Sequence, residues 1–439
     1  MSEPTITIHS KATGTAMYEL VSELYPICRS ITGDGVRDSL KIISRYLPLE
    51  VHEVPSGTQV FDWKVPKEWN IYDAYVKNER GEKVIDFRQS NLHILNYSLP
   101  VNQRMPLAVL KEHLYTIPEQ PDWIPYRTSY YKENWGFCLS QQVYEKLEDG
   151  EYEVVIDSSL ENGSLTYGEY FLPGQTEDEI LISCHCCHPS LCNDNLSGMA
   201  LATFLAASLG DQPRRYSYRF LFIPGTIGAI TWLALHEEQA VRIKHGLVVA
   251  CVGDAGGFTY KRSRRGNAEI DRIVEYVLQK SSKAYTCVDF SPYGYDERQY
   301  CSPGFNLAVG RLTRTPNGSY PEYHTSADNL ELVRPDCLAD SLNIYRAILD
   351  TLEENRFYIN TNPKCEPQLG RRGLLNGLGG QKDAGTFQMA LLWLLSLSDG
   401  EHSLFDVALK ADLDFQIIKD AAQALHQSGL LKEIREENQ

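Results

Sequence analysis

The sequence predicts an α/β fold: a mainly parallel sheet flanked by helices, with a β-rich inserted domain and a further helical domain at the C-terminus. Three observations carry that expectation. Apolar runs at 179–183, 219–223 and 246–252 alternate with helical patterns at 199–209, 229–240 and 269–280, and such alternation is what a sheet covered by helices on both faces requires. From residue 50 to about 121 the pattern changes to short strands with no helix between them. Past a Gly-rich stretch at 370–380 come three helical patterns, at 387–396, 403–411 and 415–428.

Taken in order, residues 17–46 read as a helical opening. Leu20, Val21 and Leu24 share one face and, after the turn Thr32-Gly33-Asp34-Gly35, Leu40, Ile43 and Leu47 share another. Strands are expected at 51–54, 72–76, 83–87 and 92–95, so 50–121 is assigned as an inserted domain that covers the sheet or forms a lid over a site. The core resumes at 140–150, with strands near 152–156 and 167–171 ahead of the alternating region, and a helix at 335–355 closes it. The main domain is therefore expected to comprise 1–49 and 122–362, with a linker at 363–380 and a last domain at 381–439.

At 439 residues the chain can hold two or three domains with substantial cores. A net charge of −16 opposes a nucleic-acid surface, and residues 380–439 alone hold five Lys/Arg against ten Asp/Glu. Three helices and a short extension there resemble a winged helix, but reading DNA requires a basic face, so a protein-contact or dimerisation role is expected. No apolar stretch of about 18 residues is present, and Met1-Ser2-Glu3-Pro4-Thr5 lacks the apolar core of a signal peptide. A cytoplasmic location and soluble partners are expected. Eleven scattered cysteines argue for reduced thiols, and Cys184, Cys186, Cys187 and Cys192 read as packing residues, since adjacent cysteines do not easily face one metal ion. No Gly-x-Gly-x-x-Gly follows a strand, which argues against a nucleotide cofactor.

Two segments about 130 residues apart carry the chemistry. The first, Cys184-His185-Cys186-Cys187-His188-Pro189-Ser190-Leu191-Cys192-Asn193-Asp194, lies between an apolar strand and a helix. The second is Glu322-Tyr323-His324-Thr325-Ser326-Ala327-Asp328-Asn329. Loops at the carboxyl ends of strands are where open α/β sheets place their sites. Zinc takes imidazole nitrogen and carboxylate oxygen, and a catalytic site leaves one position open. Each segment alone would equally suit turn chemistry, with Asn and Asp capping backbone amides. Only a folded sheet could bring the distant histidine to the others.

Together these segments resemble the zinc aminopeptidases and, more closely, their aminopeptidase-like relatives from bacterial polysaccharide and natural-product pathways. The closer resemblance extends over most of the chain, through Leu24-Tyr25-Pro26-Ile27-Cys28-Arg29-Ser30-Ile31-Thr32-Gly33, Phe61-Asp62-Trp63-Lys64-Val65-Pro66-Lys67-Glu68-Trp69 and Asp296-Glu297-Arg298-Gln299-Tyr300-Cys301-Ser302-Pro303-Gly304. It implies an exopeptidase-like α/β fold and one or two zinc ions held by Asp194, His324 and the strand-end carboxylate Asp254, with either His185 or His188 as the first ligand. It also implies a substrate pocket built with Asp296, Arg298, Tyr300 and Tyr323. The resembling enzymes carry a general-base Glu after a strand, in a Pro-Glu-Thr-Ile-Gly pattern among the closer relatives. This chain has Pro224-Gly225-Thr226-Ile227-Gly228. Glu237-Glu238 is no substitute, because a helix of about 12 residues at ~1.5 Å each would carry those carboxylates some 18 Å from the strand end. Glu297, Glu322 and Asp296 remain as candidates. Two functions follow: a metal-dependent aminopeptidase or amidohydrolase acting on a small peptide-like or amino-acid conjugate, or a lapsed member serving as a binding or scaffold subunit in a biosynthetic pathway.

Overall fold

The computed structural model describes residues 11–210, 213–374 and 382–434. The N-terminal pentapeptide and most of the Gly-rich 370–380 stretch lie outside these residues. Cα packing divides the chain into one unit ending at Arg346 and a second beginning at Ala347.

The first unit is built on an eight-stranded sheet. Its strands are β1 (Glu50–Pro55), β2 (Ser164–Leu172), β3 (Glu179–His185), β4 (Ser217–Ile223), β5 (Ile243–Val249), β6 (Phe258–Lys261), β7 (Tyr285–Val288) and β8 (Val309–Thr313). The spatial order is β1-β2-β4-β3-β5-β8-β6-β7. The four central strands, β4, β3, β5 and β8, are parallel, while β1, β2 and the β6–β8 contact are antiparallel. Every residue of β3 and β4 is buried, which explains why both read as continuous apolar runs rather than alternating ones. The helices after them, α1 (Ser197–Leu209) and α2 (Ile227–Leu235), are also buried over most of their length.

Several local expectations change. Apart from the short pairings of Gln59–Val60 with Trp63–Lys64 and of Lys83–Asp86 with Glu68–Lys77, the longer strands of residues 50–121 pair with strands outside the segment. Glu50–Pro55 joins the main sheet, and Glu68–Lys77 pairs with the long strand Glu151–Glu161 in a second, four-stranded antiparallel sheet completed by Lys83–Asp86 and Val101–Pro106. The expected strand at 92–95 is instead a single 3-10 turn, Asn91–His93, whose Ser90 hydroxyl caps the amide of Leu92. The expected helix 229–240 breaks at His236, and Glu237 and Glu238 beyond the break are exposed. No described helix is long and apolar enough to cross a membrane.

In the second unit, helices Lys382–Leu397, Leu404–Ala411 and Phe415–Gln427 accompany a three-stranded sheet of Phe357–Asn360, Asp399–Ser403 and Leu431–Ile434. Its central strand is Phe357–Asn360, so this fold recruits chain from before the stretch at 363–380 that reads as a linker.

Candidate metal centre and its surroundings

The parallel register of the central strands brings their carboxyl ends level. His185 pairs with Ile223 across β3 and β4, and Ser183 with Val248 across β3 and β5. His185 therefore ends β3, Gly225 lies two residues beyond β4, and Cys251 to Asp254 follow β5. The loop from β3 to α1 is stitched to these ends. Asn195 donates to the carbonyls of His185 (3.2 Å) and Val249 (3.0 Å) and accepts from the amide of Cys251 (3.3 Å). Asp328, fully buried, accepts from the amides of Asn193 (2.6 Å) and Asp194 (3.0 Å). Burial pushes the Asp328 carboxyl up to about 7 despite those amides.

Asp194 is the centre of the arrangement. Its Oδ1 lies 2.8 Å from His185 Nε2, and its Oδ2 lies 3.0 Å from His324 Nε2 and accepts the Tyr295 hydroxyl at 2.7 Å. His188 Nδ1 is 3.4 Å from the same Oδ2 and 3.2 Å from the Asp194 carbonyl. His185, His188 and Asp194 each offer a ligand atom within 4.8 Å of one another. The structure thus brings both histidines to the aspartate where the sequence left a choice between them. Burial alone would raise Asp194, but His188, His185 and His324 outweigh it and hold the carboxyl well below the usual range. Burial lowers His188 to about 3, leaving a neutral imidazole with a free lone pair. A neutral imidazole beside an ionised carboxylate is the kind of donor that zinc takes.

Aromatic rings fix the imidazole planes. Tyr295 stacks on His185 (4.3 Å), Tyr323 stacks on His324 (3.9 Å), and Tyr126 meets both His188 and His324 edge-on (5.2 and 5.0 Å). His324 holds φ 56°, a left-handed conformation that costs free energy in a non-glycine residue. Its carbonyl accepts the Tyr126 amide at 2.7 Å, and Ser326 exchanges hydrogen bonds with Ile124. A short stretch at 124–126 thereby pins the motif.

The other expected site residues have different surroundings. The Asp254 carboxylate accepts from Asn193 (2.9 Å), the Gly256 amide (2.7 Å) and Thr315 (2.6 Å to the hydroxyl), and it is absent from the group of ligand atoms around Asp194. Glu297 is buried in an ion pair with Lys261 (2.9 Å), with Arg311 at 3.5 Å. Tyr300 is buried, its hydroxyl 3.0 Å from that of Ser183. The Tyr323 hydroxyl is 2.9 Å from that of Tyr295. Arg298 and Glu322 are partly exposed. Asp296 is fully buried, and neither of its oxygens has a hydrogen-bond partner. Sequence reasoning assigned no role to Tyr295 or Asp328, although both sit in or beside the motifs that were singled out.

A family model described as domain of unknown function DUF4910 matches residues 18–355, and a winged helix-turn-helix model matches 356–433. The chain belongs to the DUF4910 family. A relative from Clostridium acetobutylicum, provisionally named a polysaccharide biosynthesis protein with aminopeptidase-like domain, is 56% identical over 424 residues, covering 97% of this chain and 98% of that one. A crystal structure of a provisionally named peptidase from the same organism is 55% identical, covers 97% of both chains and superposes with a TM-score of 0.91. BSAP, a zinc aminopeptidase from Bacillus subtilis, shares the fold of this DUF4910 member at 12% identity, with a TM-score of 0.55 over 76% of this chain and 94% of that one. A peptidase M28 precursor from Shewanella amazonensis does so at 11% identity and TM-score 0.53, over 77% and 94%. The DUF4910 portion is thus an aminopeptidase-like α/β fold, followed by a winged helix.

Proposed function

We propose that this chain is a zinc-dependent hydrolase of the aminopeptidase kind, cleaving an amide bond in a small peptide-like molecule or amino-acid conjugate. One observation carries the reading: three imidazoles converge on the buried carboxylate of Asp194 at the carboxyl ends of parallel strands. His185, His188, His324 and Asp194 fit a zinc ion, and the ion supplies Lewis acidity toward a water and a scissile carbonyl. With Asp254 committed to Asn193, Gly256 and Thr315, the donor set favours one ion over two.

The name of the Clostridium relative suggests that the amide belongs to a conjugate made in polysaccharide biosynthesis. The acidic balance of residues 380–439 favours a protein contact for the winged helix over DNA. A cytoplasmic location agrees with this reading.

The test is elemental analysis of the purified chain beside turnover of aminoacyl-anilides with and without added zinc. Bound zinc that His188→Ala and His324→Ala abolish, together with zinc-dependent turnover, is the expected result. Zinc binding without turnover of any aminoacyl or peptide-like amide would favour the lapsed, ligand-binding subunit, which the glycine at position 225 already suggests. Metal content unchanged in both variants would defeat the proposed centre.

A further inference from the structure

Gly225 lies against His185 and Asp296 at the edge of the centre. A Cβ built on it would lie 3.2 Å from His185 Cβ and 3.5 Å from Asp296 Oδ1, and its φ is outside the left-handed region. The first of these contacts is tighter than an ordinary van der Waals approach, so the chain at Gly225 packs closely against both His185 and Asp296. Gly225 is itself partly exposed, which puts Asp296 just beneath a surface that solvent reaches.

Asp296 is anomalous in a second, independent way. Buried polar groups are almost always hydrogen-bonded, and an exception calls for an explanation. Both of its carboxylate oxygens lack partners. Its neighbour Glu297 turns Oε1 to Lys261, with Arg311 at 3.5 Å, and its Oε2 makes no hydrogen bond either. The ionisable groups around Asp296 are Glu297 and Arg298 on its own element, Tyr300 one turn on, and Cys184, Cys186 and Cys187 around the end of β3. Burial, with Glu297 adding and Arg298 opposing, pushes it up to about 8. A group that exchanges its proton near neutral pH is suited to general acid–base work.

We propose that Asp296 is the proton-accepting carboxylate of this chain, acting beside His185 where Gly225 closely approaches both residues. The role rests on the hydrolase reading. A water oxygen bonds to the amide carbonyl carbon while Asp296 takes a proton from that water. The C–N bond then breaks, its electron pair stays on nitrogen, and nitrogen receives the proton from Asp296. Amide and water become acid and amine, and Asp296 ends as it began.

The experiment uses the full-length, zinc-loaded protein with aminoacyl p-nitroanilides as probes, comparing wild type, Asp296→Asn, Gly225→Glu and the double variant. Asp296→Asn is expected to lower kcat by roughly 10²–10⁴-fold, to leave KM and zinc content unchanged, and to remove the acidic limb of the kcat–pH profile. Its melting midpoint should be equal to wild type or higher, a result that a purely structural carboxylate would not give. Gly225→Glu in the Asp296→Asn background should recover part of the rate.

An active wild type whose Asp296→Asn variant keeps its rate and pH profile overturns the assignment and leaves the hydrolase reading intact. An inactive wild type that fails on every probe overturns both. Should Asp296→Asn fail to fold, Gly225→Glu alone decides: a second carboxylate beside Asp296 must shift the acidic limb, and an unshifted limb overturns the proposal.

Discussion

Asp194 and Asp296 are both fully buried, yet their surroundings send them in opposite directions. Asp194 gathers three imidazoles and a tyrosine hydroxyl and stays ionised. Asp296 has no hydrogen-bond partner and rises to about 8. Burial acts the same way on each, so the partners decide the outcome: one carboxyl is held ionised among imidazoles, the other is pushed toward its protonated form.

The largest effect that could break this contrast is expected at Asp194. Asp194→Ala removes the group on which all three imidazoles converge and should abolish stoichiometric zinc in elemental analysis. Full zinc retention would mean that Asp194 is a structural hydrogen-bond acceptor only. Next comes Glu297→Gln, which strands the buried ammonium of Lys261. Breaking a buried pair by removing one partner typically costs about 3–5 kcal/mol, so denaturant unfolding should show a loss of that order. A Glu297→Gln variant of full stability with lost turnover would instead move the proton-accepting role from Asp296 to Glu297.

The pH dependence of stability sharpens the contrast further. Because Asp296 rises from the ordinary 3.8 to about 8 on folding, it contributes stability that is fully present below pH 3.8 and is lost as pH rises through about 8. Asp296→Asn cannot ionise. The melting midpoint of the variant minus that of wild type should therefore grow from pH 4 to 8 and level off above. A difference that stays flat would show that Asp296 has a partner in solution. The smallest effect is expected from Tyr295→Phe, which deletes one donor to Asp194 Oδ2. Groups that support metal ligands typically matter about 10–100-fold in affinity, and a zinc-chelator competition should find a loss in that range, with an undiminished affinity placing Tyr295 outside the centre.

Much of the fold was legible because its central strands are buried on both faces and so read as unbroken apolar runs. The edge region was not. β6 and β7 are four residues each, and the burial of β7 is too slight to leave a pattern. Residues 50–121 looked self-contained because nothing in an alternating strand names its partner, and the partner of Glu68–Lys77 lies some 80 residues on. In the site, His185, His188, Asp194 and His324 stood out as polar groups beside apolar elements, the kind of placement that chemistry rather than packing requires. Asp254 marks the limit of that logic: a sequence can place a carboxylate after a strand, but not the amides that will claim it. Asp296 marks the opposite limit, since having no partner is a property of three-dimensional surroundings that no sequence motif records.

Asn195 ties the loop bearing Asp194 to the ends of two neighbouring strands through main-chain groups. An ion seated between His185 and Asp194 would therefore brace the sheet as a clamp braces adjoining planks. Local opening of β3 and β5 would then require the ion to leave first. Amide protons near His185, Val249 and Cys251 should slow their hydrogen exchange on zinc addition, by an amount set by the ion's affinity and concentration. The backbone around the centre would then report metal occupancy without any substrate.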